Sequence, residues 1–273
     1  MSPKNELLIF ILAVLVVSSF IELAYGSPYI GIAFFILSVI LLIYISKRVE
    51  ISVESHRSAP AIITGLSIVL ADLIYNYVYS SEIQTFDSMV ILLGFSIALS
   101  GSGTKYSDLG RFSTYFSSIF LVLFLSLFMI PERFEVDLPY YYGHYAVTLP
   151  AVCLLTALGL RVTIPEMRFI EVFGVQHVVL KIDLACFGWY SMLLVTSMLL
   201  AYDLTMERLG RGKLLKILAV MIVASYLANL LRVSLLVVTA YYYGMDTMML
   251  IHSHLGWILF AAILIPLVYV FLR

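Results

Sequence analysis

Long apolar runs separated by short polar stretches set the pattern of this chain. Eight runs are long enough to cross the hydrocarbon core of a bilayer, at about 6–24, 29–46, 59–79, 87–102, 112–130, 184–201, 214–240 and 251–271. A ninth apolar stretch, about 145–160, is shorter and carries Pro150 in its middle. The segment "MRFIEVFGVQHVVLKID" (Met167–Asp183) is rich in β-branched and aromatic residues, with Gly174 at a plausible turn. It fits a short β-hairpin or a plain connecting loop. The pattern predicts an all-α polytopic membrane protein of about eight transmembrane helices. To these it adds a short outer re-entrant or interfacial helix and a possible small extracytoplasmic β-hairpin.

Composition agrees with a membrane protein. Of the 273 residues 62% are hydrophobic and 12% are charged, whereas a soluble domain is about half apolar and about a quarter charged. The net charge of −1 says nothing about partners, and no basic patch for nucleic acid is expected. No secretory leader, low-complexity tail, internal repeat or soluble domain is expected. The chain reads as one integral membrane domain, 1–273. It divides into a five-helix part at 1–130, an extracytoplasmic or interfacial region at 131–183 and a three-helix part at 184–273. No CxxC, HExxH, GxxxxGK[ST] or GxGxxG pattern occurs, so no metal and no cofactor is expected.

Charge orients the crossings. With the N-terminus inside and eight spans, the inner segments hold Lys4, Lys47, Arg48, Arg57, Lys105, Arg111, Arg208, Arg211, Lys213, Lys216 and Arg273. The outer segments hold only Arg133, Arg161, Arg168 and Lys181. Both termini are therefore expected in the cytoplasm. If 145–160 crossed fully, the basic run "MERLGRGKLLK" (Met206–Lys216) would face outward, so that stretch is expected to dip into the outer leaflet or lie along it.

Some polar residues stand out against this background. Arg232 lies inside a span, in "YLANLLRVSLLVV" (Tyr226–Val238), and an ionisable group there is a functional candidate. Snorkelling to the outer headgroups is the plain alternative. Asn229, three residues earlier, shares its helix face, either orienting the guanidinium or lining the same pocket. His252 and His254 open the last span in "IHSHLGWILF", and His252 is four residues before Gly256 and on its face. The ordinary role for either histidine is an interfacial polar residue beside Trp257. Cys186 opens the span at 184–201, where helix amides favour a thiolate. Cys153 fits a small buried apolar residue, and both thiols are expected to be free. Cys186, Arg232 and one of the histidines come from three successive spans, all toward one leaflet. A thiol, a base and a cation at one level suit acyl transfer.

The pieces "TALGL" (Thr156–Leu160), "LACFGW" (Leu184–Trp189), "NLLR" (Asn229–Arg232) and "HSHLGW" (His252–Trp257) come in the order of the exosortase/archaeosortase family of membrane transpeptidases, which the chain resembles over about 145–271. The resemblance implies a cysteine protease or transpeptidase with Cys186 as nucleophile and Arg232 as the family arginine. His252 best matches the family histidine, with His254 as the fallback, and Asn229, Gly188 and Gly256 play supporting parts. Phe187 departs from the pattern, since many members carry Ser or Thr after the cysteine. The implied partners are secreted proteins ending in a short motif, a transmembrane helix and a basic cluster. The implied acceptor is a membrane lipid amine, and the site faces outward. The competing function is a transporter or ion pathway centred on Arg232, which would ordinarily show repeats or broken helices in both halves.

Overall fold

The structure is a computed structural model that describes residues 11, 15, 27–48, 58–79, 82–184, 186–206 and 208–271. The expected span at 6–24 lies outside these residues except for Ile11 and Leu15. The helices are α1 (Pro28–Arg48), α2 (Ala59–Val78), α3 (Thr85–Ser100), α4 (Ser107–Phe124), α5 (Ile130–Arg133), α6 (Leu138–Tyr142), α7 (Leu149–Ala157), α8 (Trp189–Thr205) and α9 (Arg211–Phe271). Among the described residues, Ala59–Val78, Ser107–Glu132 and Arg211–Phe271 are long and apolar enough to cross a membrane.

Two compact units divide the chain. One takes in Arg48–Phe134 and Leu193–Leu218. Here α2, α3 and α4 pack through small residues. A Cβ at Gly94 would lie 2.6 Å from the Gly65 carbonyl oxygen, so the two helices meet backbone to backbone. Helix α3 starts with a capping box: the Gln84 N–H donates to Asp87 Oδ2 at 2.7 Å, satisfying a donor that the helix leaves free. The π turn at Leu125–Met129 links α4 to α5.

The other unit takes in Met1–Lys47, Glu135–Met192 and Ala219–Arg273 and holds every candidate site residue. Helical structure runs from Leu138 through a π turn at Gly143–Thr148 to Ala157. That is roughly 30 Å at 1.5 Å per residue, so the expected short helix at 145–160 is corrected to a longer one. Pro150 does not end it. A proline lacks the N–H for the i−4 bond, and the wider turn just before it absorbs the mismatch. Pro131 follows the π turn at Leu125–Met129 in the same way.

The hairpin is present and gains a strand. Strands β1 (Val162–Thr163), β2 (Phe169–Phe173) and β3 (His177–Lys181) form an antiparallel sheet in that order, with Phe173 opposite His177 and Phe169 opposite Lys181. The period of two buries Ile170, Val172, Val178 and Leu180 on one face, in a core shared with Val147, Leu155, Phe187, Val233 and Val237. Helix α9 covers the two expected spans at 214–240 and 251–271 as two limbs that meet at a break at Gly244.

Candidate active site

Cys186 sits in the turn between β3 and α8, where its N–H donates to the Asp183 carbonyl at 2.7 Å. The apolar pattern suggests a helix from 184. The helix starts instead at Trp189, because Gly188 holds φ at +76°, a left-handed conformation that ends the turn. The first helical bond runs from the Met192 N–H to the Gly188 carbonyl at 3.1 Å. The thiol is thus placed just ahead of α8 rather than within it, and it is buried.

Arg232 reaches the same place from α9. Its guanidinium has Cys186 as an electrostatic partner. From Arg232 to the break at Gly244 the helix continues for roughly 18 Å, which argues against a simple snorkel to that end. The guanidinium also lies on Gly256: a Cβ there would sit 2.7 Å from Cζ and 3.0 Å from Nε. His252, one turn before Gly256, has Arg232 as an electrostatic partner. Cys186, Arg232 and His252 are therefore linked through the arginine. His254 is two positions on, about 200° around the helix from His252, so the face that meets Arg232 belongs to His252.

Asn229 packs against the cysteine turn at Gly188. It is buried, its Nδ2 donates to the Ser225 carbonyl at 2.6 Å, and a Cβ at Gly188 would fall on its amide. Gly188 is thus needed twice, for its positive φ and for the room that it leaves Asn229.

Aromatic residues hold the turn from the other side. Phe187 is 2% exposed, and a Cβ at Gly143 would lie 2.6 Å from its ring. Tyr140 meets it edge-on, with centroids 5.8 Å apart. Arg168 lies over the Tyr140 ring, Cζ 3.3 Å from its centroid, and pairs with Asp137 at 3.2 Å. Tyr142 packs on Trp189 at 5.6 Å and donates its hydroxyl to Met192 Sδ at 3.5 Å. Reading the residues alone assigns no role to Tyr140, Tyr142 or Gly143. Their signal lies in the departure at Phe187: a large ring after the cysteine requires space elsewhere, and Gly143 provides it. Cys153 is exposed on α7, which corrects its expected burial, and both cysteines are free.

The arrangement can hold a thiol and an imidazole within the field of one fixed positive charge. Such a group can activate a sulfur nucleophile and stabilise a developing oxyanion.

A family model described as transmembrane exosortase matches residues 6–269. No curated protein and no solved structure matches the chain.

Proposed function

The chain belongs to the transmembrane exosortase family, and from that premise we propose that it is a protein-sorting transpeptidase with Cys186 as its nucleophile. The observation that carries this reading is the Arg232 guanidinium, which lies on Gly256, one turn after His252, and interacts electrostatically with Cys186. The substrate is a secreted protein with a C-terminal tail of motif, transmembrane helix and basic cluster. Its motif meets the thiol at the extracytoplasmic surface.

The sulfur of Cys186 attacks the carbonyl carbon of the scissile peptide bond. Arg232 stabilises the oxyanion or orients the carbonyl. His252 takes the thiol proton as the S–C bond forms and gives it to the leaving amine as the C–N bond breaks, and a thioacyl-enzyme remains. An amine, proposed to belong to a membrane lipid, then attacks the thioester and releases the thiol. The protein is handed on rather than set free. Asn229 and Gly188 keep the cysteine turn in place.

The test compares wild type, Cys186→Ala and Cys153→Ala in membranes, following a surface protein with a C-terminal transmembrane tail. Tail removal is expected to vanish with Cys186→Ala and to remain within about twofold for Cys153→Ala, an exposed position outside the site. Tail removal by Cys186→Ala at the wild-type rate would make the thiol a packing residue. Arg232 would then have to serve transport.

A further inference from the structure

The tip of the β2–β3 hairpin meets the break in α9. At Gly244 φ is 80° and ψ is −177°, a region essentially reserved for glycine. Such a break leaves carbonyls behind it and N–H groups ahead of it in need of partners. The hairpin turn serves both. The Val175 N–H donates to the Tyr241 carbonyl at 2.9 Å, and the Met245 N–H donates to Gln176 Oε1 at 3.4 Å. The fit is close. A Cβ at Gly174 would overlap the Tyr241 backbone, and one at Gly244 would lie 3.0 Å from Gln176 Oε1.

Each candidate catalytic group leaves this junction along a different piece of chain. Strand β3 runs from the hairpin tip to Lys181, five residues before Cys186. The limb of α9 before the break carries Arg232, and the limb after it carries His252. We infer that the hairpin tip is a positioning clasp. Gln176, acting across Gly244, fixes the angle between the limb with Arg232 and the limb with His252 and so holds both on Cys186. Its catalytic consequence rests on the transpeptidase reading. Gln176 is exposed and its partner is the Met245 N–H, so it is a positioning residue. A displacement of about 1 Å in such a constellation can lower a rate about a hundredfold, so a single well-placed bond at a hinge has leverage.

The test uses the full chain in membranes, in a Cys153→Ala background, with Gln176→Leu and Gln176→Glu. The substrate probe is a surface protein with a C-terminal transmembrane helix and basic cluster, supplied over a range of concentrations. Gln176→Leu is expected to lower kcat about tenfold with KM within about twofold and the membrane level unchanged. Gln176→Glu keeps an acceptor at the start of the second limb, where negative charge is favoured, and should restore most of the rate. Alkylation of Cys186 by a neutral maleimide needs no substrate. It should rise several-fold in Gln176→Leu, as the buried thiol loosens, and return in Gln176→Glu. Wild-type kcat and alkylation in Gln176→Leu would overturn the clasp, as would equal losses in Leu and Glu. If Cys186→Ala still processes the probe while alkylation follows Gln176, the transpeptidase reading falls and the clasp stands.

Discussion

The two units use glycine for opposite purposes. In the unit built on α2, α3 and α4, glycine removes side chains so that main chains can touch. Gly65 and Gly94 each face the other's carbonyl, and a Cβ at Gly110 would meet the Ser100 backbone. Around Cys186 in the other unit, three glycines each make room for one particular side chain, whereas Gly174 at the hairpin tip meets the Tyr241 main chain. Gly188 admits the Asn229 amide, Gly256 admits the Arg232 guanidinium and Gly143 admits the Phe187 ring. The first use brings helices together where apolar burial alone gives little drive in lipid. The second places polar or bulky groups where reactivity depends on position. A small residue therefore reports packing in one unit and placement in the other, and substitution separates the two.

The largest effect is expected at Gly188. Alanine there meets a positive φ of +76° and falls on a buried amide that bonds to Ser225. The left-handed conformation alone costs about 1–2 kcal/mol for a residue with a Cβ. Gly188→Ala should lower tail removal at least about a hundredfold while the membrane level stays close to wild type. Removing the obstacle with Asn229→Ala in the same chain should not restore the rate, because the positive φ at position 188 still strains an alanine there. Wild-type processing by Gly188→Ala would show that the cysteine turn tolerates displacement, and the contrast between the units would lose its functional side.

Much of this placement was legible in the sequence, and the reasons are local. Arg232 stands out because charge within an apolar run is rare. The i, i+4 spacing of His252 and Gly256 puts both on one helix face, and the structure uses that face. The β-branched and aromatic residues of Met167–Asp183 around Gly174 allowed the hairpin of β2 and β3 and equally a plain loop, and the structure takes the hairpin. What stayed hidden depends on distant pairs. Nothing near Gly143 in the chain announces Phe187, and nothing near Gln176 announces Gly244. The short join at Gly244 between the two limbs of α9 depends on the hairpin tip, which lies far away in the sequence. Pro150 suggested a short segment because a π turn leaves no residue signature ahead of the proline.

An intermediate effect, of a different kind, is expected at Gly65. A Cβ there would overlap the Gly94 carbonyl and lie 2.6 Å from the Ala98 amide nitrogen. Both obstacles are main chain, so no flexible end can move aside and the helices must separate. Gly65→Ala should reduce stability by on the order of 1–3 kcal/mol, the usual range for overpacking. Thermal aggregation in detergent would read this as a lower midpoint. Tail removal per folded molecule should match wild type. If instead activity falls and the midpoint holds, glycine in this unit acts on placement as well, and the division between the units breaks down.

The smallest effect is expected where a glycine has neither use. Open space alone does not identify such a position. At Gly159 and Gly210 a Cβ would meet nothing within 4 Å, yet φ is +90° and +75°, so alanine would be strained at both. Gly212 also has open space and has no positive φ, and it lies in the first turn of α9. Alanine exceeds glycine in helix propensity by about 1 kcal/mol in a helix interior and by less near an end. Gly212→Ala should therefore leave the midpoint unchanged or slightly raised and tail removal within about twofold of wild type. A loss approaching that of Gly188→Ala would mean that glycine in this chain is required for something other than close approach or a left-handed backbone. The two uses would then fail to account for the glycines of either unit.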